Sequence, residues 1–293
     1  AHDQGAPIGF LWLEKLAVTM FGPGEMALRL VPFIAGILAL FLFYPLARKV
    51  LAPWAAVFAL ALFTFSEPLI YFASEVKQYG LDVLVCLVIL YLGIDLLKQP
   101  DSKWNWIKVG GFGALAVWLS HPAAIMLAGL GLAMGLSSLR SKDWPLIGKI
   151  AILSVIWLGS FAVLYFISLR HLIGNNYLNI FWEDGFLPLT PSFSQFHWLV
   201  TRYFGLFGFS DIGMAVPVVG ALLLPLGLIH FGSRKKLSIA ILFLSTSLVA
   251  VGLAALEFYP FLGRMLVYLI PFVILMVAAG FEWFFEQGFH FKE

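Results

Sequence analysis

The sequence predicts an all-α polytopic membrane protein with about nine transmembrane helices plus one or two interfacial helices on the non-cytoplasmic side. Three observations predict this fold class. Of 293 residues, 61% are hydrophobic and 12% are charged, which is roughly half the charged fraction of a soluble domain. Apolar stretches of about 20 residues, long enough to cross a bilayer, recur along the whole chain. Basic residues cluster in every second connection between these stretches.

The nine predicted spans form a single transmembrane domain that covers residues 1–293. The fourth and fifth spans are short and meet at Ser120-His121-Pro122, where the proline disfavours one continuous helix. The spans cover approximately residues 26–48, 53–73, 79–97, 105–120, 122–139, 147–169, 213–231, 238–257 and 263–285.

Two further segments are not expected to cross the membrane. Residues 8–21 are too short, carry Glu14 and Lys15 in the middle, and end at Gly22-Pro23-Gly24. This pattern predicts an interfacial helix. Residues 170–212 form a long outer loop rich in aromatic side chains, which are typical of the membrane–water boundary. Within this loop, residues 194–207 are a candidate for a second interfacial helix.

The distribution of charge predicts the orientation of the chain. Ten of the sixteen acidic residues fall on the side opposite the basic connections. By the positive-inside rule, the basic connections are cytoplasmic. They contain Arg48 and Lys49; Lys98, Lys103 and Lys108; Arg140, Lys142 and Lys149; and Arg234, Lys235 and Lys236.

Composition also excludes some classes of site. A net charge of +2, with no basic run longer than Arg234-Lys235-Lys236, argues against a nucleic-acid partner. The single cysteine, Cys86, excludes an intrachain disulfide and a multi-cysteine zinc site. Because residue 1 is alanine and no span precedes Asp3, we expect the chain to be a fragment or a processed product.

The stretch SEVKQYGLD, residues 74–82, places three charges between two apolar runs. If it is helical, Glu75, Gln78, Tyr79 and Asp82 fall on one stripe, with Asp82 about one turn inside the apolar run. An ionisable residue at that depth is costly unless it faces a partner or a polar cavity. The stretch therefore predicts either a structural ion pair of Asp82 with Lys77 or Arg264, or a functional polar cavity.

Other outer residues are expected to share that cavity. The amino-terminal segment contributes Asp3, and the segment before the last span contributes Tyr259 and Arg264. The Arg264 guanidinium suits a phosphate at headgroup depth, although an arginine there also serves to anchor a helix at the interface. His121 lies at the same level, where a helix-end role is the alternative to a binding role. From these patterns alone, the sequence indicates a membrane protein with an acidic outer cavity and a few cations.

Short motifs in a fixed order add a resemblance. They are Asp3-Gln4-Gly5-Ala6-Pro7, Met20-Phe21-Gly22, Leu28-Arg29-Leu30-Val31-Pro32, Ser66-Glu67-Pro68 with Tyr71, Ser74–Tyr79, Leu119-Ser120-His121, and Tyr259-Pro260 with Arg264. Their order resembles that of the GT-C membrane glycosyltransferases of the protein O-mannosyltransferase and lipid A aminoarabinose transferase type. It is similar in particular to the bacterial branch described as dolichyl-phosphate-mannose-protein mannosyltransferase-like. The family's first span and the acidic pair after it would lie upstream of Ala1 or end at Asp3, and Lys77 stands where the family more often has arginine.

The resemblance implies transfer of a sugar from a polyprenyl-phosphate donor to a glycan, lipid or protein acceptor. It implies a bacterial inner membrane, with the site facing the periplasm or exterior. Asp3 would take the acceptor's proton, and Glu75 and Asp82 are the other catalytic candidates. A divalent metal ion is a candidate cofactor, since some relatives use one and others do not. Residues implied to bind the lipid phosphate and sugar are Lys77, Gln78, Tyr79, His121, Tyr259 and Arg264.

Two other functions fit the same residues. One is a transporter or flippase for a lipid-linked sugar or small solute, because intramembrane charges also mark transport paths. The other is a non-catalytic membrane subunit. Sugar transfer is favoured over transport because the charges cluster at the outer boundary and no inverted repeat is visible in the sequence.

Overall fold

The computed structural model describes residues 5–171, 180–207, 215–233 and 236–288, and these residues form helices and connections without strands. Three 3₁₀ segments lie at Leu169–His171, Glu183–Gly185 and Gly263–Leu269. The α-helices are α1 (Ile8–Phe21), α2 (Glu25–Val50), α3 (Pro53–Thr64), α4 (Glu67–Ser74), α5 (Tyr79–Lys98), α6 (Lys103–Leu119), α7 (Pro122–Ser141), α8 (Trp144–Ile167), α9 (Phe193–Gly205), α10 (Ala215–Ser233), α11 (Leu237–Ala255) and α12 (Ile270–Gly288).

Within the described residues, six helical segments are long and apolar enough to cross a membrane. They are α2, α5, α7, α8, α11 and the segment Gly263–Gln287, which joins the last 3₁₀ turn to α12. The predicted second span is two helices, α3 and α4, bent by 51°, which would make a seventh. Helix α6 has 17 residues, and the apolar part of α10 is the short stretch Pro217–Ser233. A helical membrane fold is therefore confirmed, whereas the count of nine spans is not.

Prolines mark the starts of several helices. Pro53, Pro68, Pro122 and Pro145 lie in the first turns of α3, α4, α7 and α8, where a missing N–H leaves no helical hydrogen bond unmade. The break predicted at Ser120-His121-Pro122 is present, because α6 ends at Leu119 and α7 begins at Pro122. Ser120 and His121, both polar, therefore form the link between α6 and α7.

Helix α5 lies in the centre of the molecule, and most of it is buried. It contacts α2, α6, α7 and the 3₁₀ segment Gly263–Leu269. A helix surrounded in this way needs apolar side chains on all faces, and α5 has them apart from Asp82 near one end and Asp95 near the other. The two ends of α5 therefore bring polar groups to opposite ends of the molecule.

Helices α10 and α12 pack closely against each other. A Cβ atom added to Gly227 would come within 2.0 Å of the Met276 carbonyl oxygen, and one added to Gly280 would come within 2.0 Å of the Leu223 carbonyl oxygen. Only glycine allows the two backbones to approach so closely. The pair is held together along most of its length, down to the end that carries His230 and Glu282.

The predicted cytoplasmic connections converge on one end of the molecule. Lys49 Nζ lies 2.5 Å from Asp95 Oδ1, and Lys98 Nζ donates to the Lys49 carbonyl oxygen at 2.7 Å. Lys236 Nζ donates to the Val50 carbonyl oxygen at 2.7 Å. Three basic connections that are distant in the sequence thus lie together. The side of the membrane that they face stays a prediction.

Helix α1 has the bounds expected for the first interfacial helix and packs against the end of α6. The rings of Trp12 and Trp118 stack with centroids 6.2 Å apart. A Cβ atom added to Gly9 would lie 2.6 Å from the Trp118 carbonyl oxygen, so α1 approaches the α6 backbone directly. The amino-terminal part of the described chain is therefore held next to the Ser120–His121 link. The placement of α1 in a membrane interface stays a prediction.

Candidate active site

The stretch SEVKQYGLD forms the link between α4 and α5. Helix α4 ends at Ser74, and α5 begins at Tyr79. Glu75 has extended backbone angles, φ −87° and ψ 145°. The predicted helical stripe from Glu75 to Asp82 is therefore wrong at Glu75, because the chain must turn between two helices at that residue. Gln78 has helical backbone angles, and its carbonyl oxygen accepts from the Asp82 N–H at 2.9 Å, so Gln78, Tyr79 and Asp82 keep the predicted helical face.

Asp82 is at the centre of a buried polar cluster. Asp82 is 3% exposed. The Ser120 hydroxyl lies beside its carboxylate and also beside the Cys86 thiol. Tyr259 and Tyr268 are close enough to interact electrostatically with the same carboxylate. The cluster is thus assembled from α5, the α6–α7 link and the segment around the last 3₁₀ turn.

Several polar atoms of this region have no hydrogen-bond partner within the part of the chain that the structure describes. They include Asp82 Oδ1, Ser120 Oγ, His121 Nε2 and the Tyr268 hydroxyl. Leaving a buried polar group unsatisfied costs about 1–3 kcal/mol. Neither Lys77 nor Arg264 forms an ion pair with Asp82 among the described residues, so the structural ion pair is not found. The alternative, a functional polar cavity around Asp82, stays a prediction.

Arg264 stands beside this cluster at the start of the last 3₁₀ segment. Its guanidinium carbon lies 5.0 Å from the ring centroid of Trp182, 5.9 Å from that of Phe181 and 6.0 Å from that of Tyr79. Aromatic faces at these distances stabilise the cation. Arg264 is exposed, so its guanidinium is accessible from solvent.

A groove of about 210 Å³ extends from Arg264. Its wall is formed by α4, the end of α9, the last 3₁₀ segment and the start of α12. Among the described residues of this wall, one is charged, Arg264; the others are Pro68, Phe72, Gly205, Leu206, Gly263, Leu266, Val267, Leu269, Ile270 and Val273. A single cation at one end of an apolar groove suits an amphipathic anion with a hydrocarbon tail.

Lys77 lies in the α4–α5 link and interacts electrostatically with Glu14 of α1. Burial raises the pKa of Glu14, and the Lys77 charge partly opposes that increase. Arg29, by contrast, forms an exposed ion pair with Glu25 at 2.6 Å. Lys77, in the preceding link, and Arg264, 6.0 Å from the Tyr79 ring centroid, thus both lie near the start of α5.

His121 lies in the link between α6 and α7, and burial lowers its pKa to about 4. The imidazole is therefore neutral near pH 7 and offers one donor and one acceptor. Tyr259, in the connection after α11, donates from its hydroxyl to the Met265 carbonyl oxygen at 2.9 Å. This bond orients the ring against Tyr268, with centroids 6.4 Å apart.

A family model matches the part of the chain that contains several of these residues. The family model described as dolichyl-phosphate-mannose-protein mannosyltransferase matches residues 5–169, more than half of the chain. The chain belongs to this family. The matched range of this mannosyltransferase-family protein contains the α4–α5 link, Asp82, Ser120 and His121. Tyr259 and Arg264 lie beyond it.

Two solved structures of ArnT from Cupriavidus metallidurans are similar to this family member in fold. The apo structure has a TM-score of 0.58 and 16% sequence identity. The structure bound to undecaprenyl phosphate has a TM-score of 0.56 and 15% identity. Each match covers 94% of this chain and 49% of the solved chain, so this chain spans about half the length of these structures. The expected GT-C-like fold is thereby confirmed. No curated protein matches the sequence.

The structure brings together only part of the predicted site of this family member. Asp82, Tyr79, Tyr259 and Arg264 converge, whereas Glu75, Lys77 and Gln78 lie half-buried in the link that leads to them. Asp3 lies outside the described residues. Among the described residues, Glu75 and Asp82 belong to no group of three metal-ligating side chains. The catalytic and metal-binding roles assigned to these residues stay predictions.

Three members of the cluster were not identified as site residues from the sequence. Cys86 and Tyr268 lie inside apolar stretches, where a packing role is the ordinary interpretation. Ser120 was part of the predicted helix break and of the Leu119-Ser120-His121 motif, but neither pattern gave it a role in the site. Glu14 was noted as a charge within a short apolar helix, but its proximity to Lys77 depends on how α1 docks. A polar residue within an apolar stretch was the one signal available for Glu14.

Proposed function

We propose that this protein transfers a sugar from a polyprenyl-phosphate-linked donor to an acceptor on the non-cytoplasmic face of the membrane. The observation that carries this proposal is the position of Arg264, between the apolar groove and the buried polar cluster around Asp82. One of the similar ArnT structures is bound to undecaprenyl phosphate, which supports a polyprenyl-phosphate ligand. Membership of the mannosyltransferase family supports sugar transfer.

The groove and Arg264 suit the two parts of such a donor. The first isoprene units would contact the apolar wall, which includes Phe72 and Val267. The phosphate would accept hydrogen bonds from the planar guanidinium, which binds phosphate with two parallel donors. When the sugar–phosphate bond breaks, negative charge develops on the phosphate leaving group, and a fixed cation stabilises it. Lys77 would supply a second positive charge from the α4–α5 link.

The polar cluster suits the sugar. Its unsatisfied acceptors and donors, on Asp82, Ser120 and Tyr268, would be satisfied by sugar hydroxyl groups. Attack at the anomeric carbon also requires a carboxylate that takes the acceptor's proton. Asp3 remains our candidate for that base, with Asp82 and Glu75 as residues that orient the sugar or the cations. The acceptor would be a glycan, a lipid or a protein.

Transfer assays with Arg264 variants test this proposal. In the full-length protein, Arg264→Ala should lower transfer from a defined polyprenyl-phosphate sugar by about 10–100-fold, as expected for loss of a charge-assisted hydrogen bond of about 1.5–3 kcal/mol. Arg264→Lys should retain only part of the transfer activity, because lysine is not a bidentate donor. Activity is measured per folded protein.

Lys15→Ala is the matched control. Lys15 is an exposed cation on α1, on the same predicted side, so its removal should leave transfer unchanged. Full specific activity in Arg264→Ala would eliminate the phosphate role and leave helix anchoring. Movement of labelled donor across proteoliposomes without release of polyprenyl phosphate would instead indicate transport.

A further inference from the structure

A second polar cluster lies at the opposite end of the molecule from Asp82 and Arg264. His230, near the end of α10, faces Glu282 and Glu286 on α12. His230 Nε2 lies 3.5 Å from Glu282 Oε1, and His230 Nδ1 lies 3.8 Å from Glu286 Oε2. One ligand atom from each residue can be chosen so that all lie within 4.8 Å of one another. The cluster is close to Lys236, within the end that gathers the predicted cytoplasmic connections.

The imidazole of this cluster is buried, and one of its two nitrogens has no hydrogen bond among the described residues. His230 is 1% exposed, and its Nε2 atom has no hydrogen-bond partner among the described residues. Glu282 is 4% exposed. Its Oε2 accepts from the Ala52 backbone N–H at 3.1 Å, which directs Oε1 toward His230. A buried nitrogen and a fixed carboxylate oxygen thus face each other across a gap longer than a hydrogen bond.

We propose that His230, Glu282 and Glu286 bind one divalent transition-metal ion of the zinc class. Imidazole and carboxylate ligands suit such ions, commonly with three protein ligands and one water. Metal–ligand bonds of roughly 2.1 Å in tetrahedral geometry place ligand atoms about 3.4 Å apart. The Nε2–Oε1 separation of 3.5 Å has this length. Glu286, whose side chain is 33% exposed, would complete the set by a small rotation and leave access from solvent.

The main alternative is a protonated imidazole held between two glutamates. That arrangement requires N–H···O distances of about 2.7–3.2 Å on both ring nitrogens. The observed separations of 3.5 and 3.8 Å are longer on both sides.

A metal ion at this site would tie three elements together. His230 belongs to α10, the glutamates belong to α12, and Glu282 also holds the start of α3 through the Ala52 N–H. The ion would close the end of the helix pair that Gly227 and Gly280 bring together. Its role would then be structural and distinct from sugar transfer at the other end of the molecule.

Metal content and thermal unfolding test the proposal. The chain is purified in detergent with an affinity tag that lacks histidine, stripped with a chelator, loaded with Zn²⁺ and desalted. We expect about one zinc ion per chain and a higher unfolding temperature than in the stripped protein. Glu282→Gln, whose amide oxygen still accepts from Ala52, and His230→Gln should each weaken zinc binding at least tenfold. Glu286→Gln should also weaken zinc binding, and because its position is partly exposed it should have the least effect on folding.

Asp82→Asn and Glu75→Gln are the matched controls, because they remove a carboxylate at the opposite end. They should retain the zinc ion and its stabilisation. Loss of zinc in Asp82→Asn with retention in Glu286→Gln would place the ion at the other site and overturn the proposal. Absence of zinc binding in the unaltered chain would also overturn it. An unfolding temperature that follows pH but not zinc would then indicate the imidazolium arrangement.

Discussion

At the residue scale, Asp82 is the position where burial is hardest to explain by stability alone. A carboxylate in a membrane interior is expensive, and here Oδ1 has no partner within the described residues. Replacing such a group often does not destabilise a protein. We therefore expect Asp82→Asn to leave the unfolding temperature unchanged or higher, while lowering sugar transfer at least tenfold. Thermal unfolding and transfer per folded protein are measured on the same preparation.

Asp95→Asn is the control for this prediction on the same helix. Asp95 pairs with Lys49 at 2.5 Å at the other end of α5, so its amide variant should lower the unfolding temperature and leave transfer per folded protein unchanged. A large fall in the unfolding temperature of Asp82→Asn, with normal transfer by the folded fraction, would show that Asp82 is structural.

At the element scale, the α10–α12 pair depends on the absence of two side chains. A methyl group at Gly227 would meet the Met276 carbonyl oxygen at 2.0 Å, and a backbone atom cannot rotate away. Gly227→Ala should therefore destabilise the protein by roughly 1–3 kcal/mol. The fall in unfolding temperature in detergent, followed by tryptophan fluorescence, measures this effect.

Gly232→Ala, on the same helix, is the matched control. An added Cβ atom at Gly232 meets nothing within 4 Å, so alanine should be neutral or stabilise the helix by up to about 1 kcal/mol. Equal unfolding temperatures for Gly227→Ala and Gly232→Ala would contradict the close helix contact.

At the scale of the whole molecule, two polar ends are separated by the apolar body. If the positive-inside rule orients the chain, the end with Lys49 and Lys236 is cytoplasmic and the end with Arg264 is outside. A single cysteine at Lys142 should then be labelled only after permeabilisation, whereas one at Glu257 should be labelled in intact cells. Both positions are exposed, and the native Cys86 is buried, so the background is low.

A membrane-impermeant thiol reagent makes this measurement, and the unaltered chain is the control. Labelling of both introduced cysteines from the same side would contradict the alternating topology and, with it, the separation of the two polar clusters across the membrane.

Local chemistry was enough to predict several elements of the fold. The proline of Ser120-His121-Pro122 breaks a helix whatever the tertiary surroundings. Gly22-Pro23-Gly24 ends α1 for a similar local reason. The count of nine spans was not confirmed, because the length of α6 and the bend between α3 and α4 depend on neighbouring helices. The prediction that Glu75 is helical was wrong because it also depends on tertiary structure. The residues around Glu75 permit a helix, but the chain turns there from α4 to α5.

The two polar clusters differ in how visible they were in the sequence. Asp82 and Arg264 stood out because a charge near an apolar span is rare. Glu282 and Glu286 are four residues apart on one helix face, but such spacing is common on solvated helix ends. Their buried partner, His230, comes from another helix, and no sequence pattern connects the two. Tertiary packing alone reveals that site.

The 51° bend between α3 and α4 affects how occupancy of the groove must be measured. It directs Pro68 and Phe72 of α4 into the groove wall next to Arg264. The donor proposed above would be dissolved in the bilayer by its isoprenoid tail and would reach this wall by lateral diffusion. Its effective concentration is therefore a mole fraction of the surrounding lipid, not a molarity in water. Adding detergent micelles at a fixed amount of donor should lower this mole fraction. Curves of transfer rate against donor, measured at several detergent concentrations, should coincide only when the donor is expressed as that mole fraction.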